Sequence, residues 1–241
     1  MDRAKGIDVS RYQGAIDWTQ VAQAGYSFAA LRATIGDYYT DPRFVENWAG
    51  AQSNAILTTA YHVVKPGIAA DAQMMRLFDA LSDRRPDLPL ALDVELKDAE
   101  TAQRVLDMTR ACLEILVGEG YRAIVYTGAW FWNTLPVAAI EWDDDADLWT
   151  AAYTAESYML QKAWPRGWQA GNWRFWQHSN KGRVPGIVGD VDLDVFNGSL
   201  NDLLRYAGKS KTPPELQERR FLITVRGHDL QTVLVDVNEV F

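Results

Sequence analysis

The stretch Leu90-Ala-Leu-Asp-Val-Glu95, together with the segments that follow it, decides the fold. It lies at the end of an apolar run, Pro89–Val94, which predicts a short buried strand. Ala99–Glu119 then carries a broad apolar face at helical spacing, and Gly120 supplies the signal for a helix end. A second apolar run, Ala123–Tyr126, follows. Strand, helix and strand in this order predict two parallel strands joined by a helical crossover.

The same alternation of strand and helix begins near the N-terminus and repeats five times in all. Before the quoted stretch, the predicted strands are Lys5–Val9, Tyr26–Ala33 and Ala55–Val64, and the predicted helices are Thr19–Ala24, Pro42–Gln52 and Asp71–Ser82. After Trp132 the pattern changes to three short strands with loops rather than full helices between them, at Leu148–Tyr153, Trp173–Gln177 and Val191–Phe196. The sequence therefore predicts an α/β fold, an irregular TIM-like (β/α)5(β)3 barrel, whose working site lies where the strands end.

A short C-terminal segment lies outside this pattern. The composition changes at Gly208-Lys-Ser-Lys-Thr-Pro-Pro214, which is typical of a linker. Two β-branched runs, Phe221–Val225 and Thr232–Val237, follow with a turn signal between them and predict a β-hairpin. A two-stranded hairpin is marginally stable alone. We therefore predict a barrel domain over 1–208 and, over 209–241, a linker with a hairpin extension that docks onto the barrel, a partner chain or a further module.

The composition excludes several classes of protein. The chain has 241 residues, and its 48% hydrophobic and 23% charged residues are ordinary for a globular protein. The net charge of −8 argues against nucleic acid or an anionic membrane as a partner. A single cysteine, Cys112, permits no internal disulfide and no cysteine-rich zinc site, and we expect neither metal nor cofactor. No signal peptide or membrane-spanning run is visible, so we expect synthesis in a cytoplasm.

Aromatic residues are unusually frequent, with ten tryptophans and ten tyrosines. Such a composition fits a ligand with apolar faces and polar edges, such as a sugar ring, as well as ordinary core packing. Tyr61 and Tyr126 each end a predicted strand, where a hydroxyl group can orient a sugar substituent. Both positions are equally consistent with tyrosines that fill the barrel interior, so the sequence leaves this choice open.

Asp93 and Glu95 form the strongest chemical signal in the sequence. They are two residues apart at the end of an apolar strand, so both side chains emerge on one face. Two carboxylates this close resist joint ionisation, which raises the pKa of one of them, and a carboxyl with a raised pKa is what a general acid near neutral pH requires. A strand-end Asp93 that caps a helix, with Glu95 exposed, is equally consistent with these two residues alone.

Two further acids belong to strand-like segments, Asp8 to the first and Asp192 to the last. In a barrel, strands that stop at carboxylates converge on one mouth. The alternating acids at 190, 192 and 194 do not fit an EF-hand calcium loop, because Val195 and Asn201 stand where glycine and glutamate are needed. His62 follows an apolar strand and is interpreted as a hydrogen-bonded packing residue.

An ordered set of motifs extends this pattern. It opens with Gly6-Ile-Asp-Val-Ser-Arg-Tyr-Gln-Gly-Ala-Ile-Asp-Trp18. It continues with Tyr61-His62, Asp93-Val94-Glu95, Tyr126-Thr127, Trp130-Phe131-Trp132, Leu148–Tyr153, Trp176-Gln177, Gly186-Ile187 and Val191-Asp192-Leu193. Over residues 4–200 the chain resembles the family 25 glycoside hydrolases, the N-acetylmuramidase lysozymes. Three positions depart from the family pattern. Val63 stands where the family usually has an aromatic residue, His178 where it often has tyrosine, and Asp194 where asparagine is common.

The resemblance implies a glycosidase that cleaves the β-1,4 bond between N-acetylmuramic acid and N-acetylglucosamine in bacterial peptidoglycan. By motif match Glu95 is the general acid, and its carboxylate partners are Asp93, Asp8 and Asp192. The side chains expected to bind substrate are Tyr61, Tyr126, Trp130, Trp132, Tyr153 and Gln177. Two alternatives stay open, a wall-binding barrel without catalysis and a glycosidase for another N-acetylated glycan such as chitin.

Two reaction courses are compatible with these residues. In the first, Asp93 holds the 2-acetamido group of the substrate, whose carbonyl attacks the anomeric carbon, and the configuration is retained. In the second, Asp192 activates a water molecule and the configuration is inverted. An enzyme of this kind without a signal peptide is expected to reach the cell wall as a phage lysin or as a released enzyme.

Overall fold

The computed structural model describes residues 2–137, 146–169 and 171–209. The strands in this part of the chain are β1 Lys5–Val9, β2 Tyr26–Ile35, β3 Tyr39–Thr40, β4 Leu57–Val63, β5 Leu90–Asp93, β6 Ala123–Gly128, β7 Asp147–Ala151, β8 Phe175–Gly182 and β9 Val191–Phe196. The helices are α1 Trp18–Gln23, α2 Phe44–Ser53, α3 Ala70–Leu81, α4 Ala102–Gly118, α5 Ala129–Trp132, α6 Glu156–Lys162 and α7 Leu200–Tyr206.

The strands close into a barrel in the order β1-β9-β8-β7-β6-β5-β4-β2, and β3 is added to β2. The ring closes because β1 pairs with β2 on one side and with β9 on the other. Pairing is parallel from β1 through β2 and β4 to β8, whereas β9 runs antiparallel to both of its neighbours. The predicted α/β, TIM-like barrel is confirmed, with its last strand reversed.

Side-chain alternation along the strands separates two apolar layers. On β6, Ala123 and Val125 belong to the layer that the helices cover, whereas Ile124 and Tyr126 belong to the layer inside the barrel. This is the period of two that places successive side chains on opposite faces of a sheet. The long helix α4 covers the outer layer with a buried face that includes Leu113.

Aromatic rings fill the end of the barrel at which the parallel strands begin. Phe28 and Phe175 pack edge to face with ring centroids 5.0 Å apart, and Phe196 lies 5.3 Å from Phe175. Phe28 and Phe175 lie near the starts of β2 and β8, and Phe196 ends the reversed β9, so all three lie at the same end. This apolar floor leaves the opposite end of the barrel to polar side chains.

Two further helices are short: α6 lies where the sequence predicts a loop, and α7 follows the last strand, where the sequence pattern predicts no element. In α6 only Met159 is buried, and no side chain caps its first turn, so its periodic signal is weak. In α7 a capping box joins Ser199 and Asp202, a short-armed form of the Ser-x-x-Glu pattern. Leu203 of α7 packs into the apolar floor and helps to close that end of the barrel.

The chain divides into two units, Met1–Lys209 and Ser210–Phe241. The predicted hairpin strands, Phe221–Val225 and Thr232–Val237, lie outside the described residues, so the hairpin stays a prediction. Within the described part of the chain, no helix is both long enough and apolar enough to cross a lipid bilayer.

Candidate active site

A cleft of about 490 Å³ opens at the end of the barrel where the parallel strands terminate. Its lining includes all four carboxyl side chains singled out in the sequence, Asp8, Asp93, Glu95 and Asp192. It also includes four of the side chains predicted to bind substrate, Tyr61, Tyr126, Tyr153 and Gln177. Side chains that are far apart in the sequence therefore meet at one mouth of the barrel.

Asp192 reaches this mouth by a different route from Asp8. Asp8 lies near the end of β1, whereas Asp192 lies near the start of β9 and directly opposite Asp8. Because β9 runs antiparallel to β1, its beginning lies at the same edge of the barrel as the end of β1. The predicted convergence is present, but the reason given for it, a strand that stops at a carboxylate, applies to Asp8 and not to Asp192.

Asp93 is the last residue of β5, and Glu95 follows it by two positions. The Val94 N–H donates to the Tyr126 carbonyl at 2.9 Å, which carries the pairing with β6 beyond the end of the strand. Burial raises the pKa of Asp93 well above its usual range, repulsion from Glu95 adds to this, and Arg32 opposes it. Burial, followed by the charge of a neighbouring aspartate, also raises the pKa of Glu95. The sequence predicts one raised pKa in this pair, and the structure raises both.

Asp93 lines the cleft and, within the part of the chain that the structure describes, carries an oxygen without a hydrogen-bond partner. Its Oδ1 is buried and has no hydrogen-bond partner among the described residues. A buried polar atom without a partner carries a desolvation penalty, which a donor on a bound ligand removes. This oxygen is therefore suited to accept an N–H or O–H from a substrate.

Arg32 lines the cleft but is not identified by the sequence reasoning. Its Nε donates to Asp41 at 2.9 Å, and both side chains are almost fully buried. Asp41 accepts two backbone N–H groups as well, from Arg11 and Arg43. The ion pair fixes a positive charge that opposes the rise in the pKa of Asp93. The sequence feature that could have identified Arg32 is its place inside an otherwise apolar strand. Charged residues are rarely buried in such a strand unless they are paired.

Exposed tyrosines form part of the rim. Tyr12 and Tyr38 line the cleft and are both largely exposed. Tyr12 lies in a single 3-10 turn, Arg11–Gln13, whose start is fixed by a capping box between Ser10 and Gln13. The sequence contains Tyr12 in its opening motif but gives no reason to assign it to the cleft.

A buried amide connects three of the predicted site residues. The hydroxyl groups of Tyr126 and Tyr153 donate to Gln177 Oε1 at 2.9 and 2.8 Å. Nε2 of Gln177 donates to Oδ2 of Asp8 at 2.7 Å. These bonds tie side chains from β1, β6 and β8, together with the segment after β7, into one network.

Two residues that the sequence assigns to substrate binding do not line the cleft. Trp132 is 0% exposed, its Nε1 donates to the Arg166 carbonyl at 2.8 Å, and its ring packs 5.2 Å from Trp168. A fully buried side chain cannot contact a glycan, so Trp132 is corrected to a core residue. Trp130 is 64% exposed and packs beside Gly128, outside the cleft lining. The two residues lie on the helical turn α5, where positions two apart point in different directions.

The described residues contain no group of three His, Cys, Asp or Glu side chains placed to hold a metal ion.

His62 is fully buried, with Nδ1 bonded to the Thr34 hydroxyl at 2.7 Å and Nε2 to Gln73 Oε1 at 3.1 Å. Burial lowers the pKa of His62 to about 4, so the ring is neutral near pH 7. This agrees with the interpretation of His62 as a packing residue.

Known proteins share this sequence pattern. The family model for the glycosyl hydrolases family 25 matches residues 7–187. The chain is 33% identical over 215 residues to the protein YegX of Escherichia coli strain K12, an alignment that covers 87% of this chain and 75% of YegX. It is 32% identical over 217 residues to lysozyme M1 of Streptomyces globisporus, which covers 86% of this chain and 72% of that protein.

A solved structure shares the barrel as well. The crystal structure of the bacterial lysozyme from Streptomyces coelicolor superposes with a TM-score of 0.72 at 29% identity, over 87% of this chain and 100% of that one. The family match spans the strands that carry Asp8, Asp93 and the tyrosines of the cleft. The chain therefore belongs to glycosyl hydrolase family 25 and is a glycoside hydrolase.

Proposed function

We propose that this protein is a lysozyme that cleaves the β-1,4 bond between N-acetylmuramic acid and N-acetylglucosamine in bacterial peptidoglycan. Membership of family 25 and the similarity to lysozyme M1 support a peptidoglycan hydrolase. The residue assignment depends on one observation: Asp93, at the end of β5, and Glu95, two positions later, line a cleft that holds two more carboxyls. A barrel that only binds cell walls has no need of this set.

Glu95 is the general acid in this proposal. Burial and the nearby Asp192 raise its pKa, so the carboxyl keeps its proton at a pH where a free glutamate has lost it. Glu95 gives this proton to the glycosidic oxygen while the bond to the anomeric carbon breaks through an oxocarbenium-like transition state. The departing sugar then leaves as a neutral hydroxyl compound.

Asp93 holds the 2-acetamido group of the sugar whose anomeric carbon reacts. Its unpartnered Oδ1 accepts the acetamido N–H. Burial raises the pKa of this carboxyl, and Arg32 only partly opposes that rise. The acetamido carbonyl attacks the anomeric carbon, an oxazoline forms, and water opens it with overall retention. In the alternative course Asp192 activates water directly, and the configuration inverts.

The remaining side chains of the cleft bind and orient the glycan. Tyr61, Tyr126 and Tyr153 offer hydroxyl groups and ring faces to a sugar, and Asp8 completes the set of carboxyls. Trp130 is retained as an exposed ring beyond the cleft lining that a longer glycan strand reaches. Because the proposed substrate is peptidoglycan, the proposed place of action is the bacterial cell wall.

Release of reducing sugar from purified peptidoglycan tests the activity, and mass spectrometry of the products tests the bond. We expect new reducing ends on muramic acid. Reducing ends on N-acetylglucosamine would identify a different bond, and equal digestion of chitin would identify a glycosidase with another natural substrate. Binding to cell walls without any release would support the barrel that binds without catalysis.

We also propose that 1–208 is the catalytic barrel domain and that 209–241 is an appendage through which the protein docks or forms oligomers. Light scattering of the full chain and of a chain ending at Lys209 tests this division. We expect the larger species only when the appendage is present. If both samples were monomeric, an oligomer contact through 209–241 would be rejected.

A further inference from the structure

We infer that Gln177 is a positioning residue whose amide holds Asp8 in place and occupies the hydroxyl protons of Tyr126 and Tyr153, so that Tyr153, the exposed one of the two, meets the substrate as a hydrogen-bond acceptor. The inference rests on the proposed function, because it concerns the same cleft. It replaces the expectation that Gln177 binds the glycan itself, since only 3% of this residue is exposed.

The orientation of the Gln177 amide follows from its partners. Oε1 lies 2.9 and 2.8 Å from the hydroxyl oxygens of Tyr126 and Tyr153, and Nε2 lies 2.7 Å from Oδ2 of Asp8. A carbonyl oxygen only accepts hydrogen bonds, and an amide NH2 group only donates them. Turning the amide over would set its carbonyl against the Asp8 carboxylate. The amide therefore accepts from both phenols and donates to Asp8.

The strand that carries this amide is fixed on both sides. Gln177 lies on β8, opposite Ala151 of β7 and Asp194 of β9. Its side chain reaches Asp8 on β1 and Tyr126 on β6, so its bonds span the barrel interior. An amide on a rigid strand holds its partners more accurately than one on a loop.

The tyrosine bonds determine what the substrate must offer. A phenol has one proton, and in Tyr126 and Tyr153 that proton is given to Gln177. Tyr153 lines the cleft and is 53% exposed, and after donating its proton its oxygen can only accept. The group that meets it is therefore a donor, either a sugar O–H or the N–H of an acetamido group.

The Asp8 bond affects the charge of the carboxyl. Burial and the aspartates of β9 raise the pKa of Asp8, and the N–H of Gln177 lowers it. The bond also fixes the position of Oδ2 of Asp8. Loss of the N–H therefore changes both the position and the protonation of Asp8.

The substitution Gln177→Glu separates these two roles. The introduced carboxyl still accepts from both phenols, but when ionised it cannot donate to Asp8. On soluble, uncrosslinked peptidoglycan strands, at a pH high enough to ionise the introduced carboxyl, we expect kcat to fall about 10²-fold, the size of effect that a small misplacement of a reacting group produces, with little change in KM. When protonated, the introduced carboxyl donates again, so the ratio of wild-type to variant kcat should shrink as the pH is lowered.

The pH comparison uses this ratio because other groups titrate nearby in both proteins. Those around the position are Asp8 on β1, Tyr61 on β4, Asp93 on β5 and Glu95 after it, Tyr126 on β6, Tyr153 after β7, and Asp192 and Asp194 on β9. Gln52→Glu, at an exposed position on α2, adds the same charge away from the cleft and should leave kcat and KM unchanged.

A second variant, Gln177→Asn, keeps an uncharged amide but shortens its reach. Both phenols are then free to donate and Asp8 is released, so kcat and KM should both change, without the recovery at low pH. Wild-type kcat in either folded variant, or a Gln177→Glu deficit that is constant with pH, would overturn the inference. Absence of hydrolysis by the wild-type protein would instead remove the proposed function.

Discussion

Asp194 lies two residues beyond Asp192, the direct partner of Asp8, so Asp8 and Asp194 face the barrel interior from neighbouring strands. Both carboxyls are buried. Trp149 Nε1 donates to Asp194 Oδ1 at 2.8 Å, and burial raises the pKa of Asp194 to about 8. Beneath the mouth of the cleft, the fold therefore holds a carboxyl that is protonated near neutral pH.

Asp194→Asn should stabilise the protein most at alkaline pH. The pKa of this carboxyl rises from 3.8 to about 8 on folding, so between these values the folded state binds more protons than the unfolded state. Stability is therefore lost as the pH rises through this window. The amide of asparagine still accepts from Trp149 and has no proton to lose. The gain in Tm over wild type should be larger at about pH 8 than at about pH 4.

An exposed acid provides the control for this comparison. Asp107→Asn, on the exposed face of α4, should change Tm by a similar small amount at both pH values. A gain for Asp194→Asn that did not depend on pH would show that Asp194 ionises normally in the folded protein, in conflict with its burial.

Glu95→Gln should reduce turnover about 10²–10⁴-fold, which is the usual contribution of a general acid. The amide has nearly the same shape as the carboxyl but has no acidic proton to give to the glycosidic oxygen. Reducing-sugar release from purified peptidoglycan measures the loss. Glu114→Gln, at an exposed position on α4, should keep full activity. Wild-type lysis by Glu95→Gln would reject the assignment of the acid.

Asp93→Asn should lower kcat more than it changes the affinity for glycan strands, because the proposed role of Asp93 strengthens as the acetamido group attacks.

In the wild type, NMR recorded in the first minutes of digestion should show the β-anomer at the new reducing end, as retention requires. An α-anomer formed first would eliminate assistance by the acetamido group and favour water activated by Asp192.

Local patterns explain why most of the fold is predictable from the sequence. The β5-α4-β6 segment combines two short apolar runs with a long helical face between them, and this pattern predicts a crossover. The reversal of β9 is not predictable in the same way, because a strand has the same alternation in either direction. Its direction follows from pairing with Asp8 and its neighbours on β1, at the other end of the chain.

The site is predictable to the extent that its residues lie near one another in the sequence. Asp93 and Glu95 share one strand end, so their proximity follows from spacing alone. The pairing of Arg32 with Asp41, and the burial of Asp194 beside Trp149, depend on contacts that form only when the barrel closes. The spacing of residues along the sequence does not reveal such tertiary contacts.

Trp132→Ala should destabilise the protein by about 3–5 kcal/mol, the usual cost of removing a large aromatic side chain from a core. The indole is fully buried, and its Nε1 donates to a backbone carbonyl. The free energy of unfolding in urea measures this loss. Trp130→Ala, at an exposed position in the same helical turn, should cost far less. Equal costs for the two would contradict the correction of Trp132 to a core residue.

Arg32→Met should destabilise the protein by about 3–5 kcal/mol, because it leaves the buried Asp41 carboxylate without its counter-charge. The matched control is Arg43→Met, which breaks an exposed ion pair with Glu46 and should cost no more than about 1 kcal/mol. Urea unfolding of the two variants measures both costs. If Arg32→Met cost no more than Arg43→Met, the backbone N–H groups that Asp41 accepts would be sufficient to hold its charge, and the ion pair would have no structural role at the cleft.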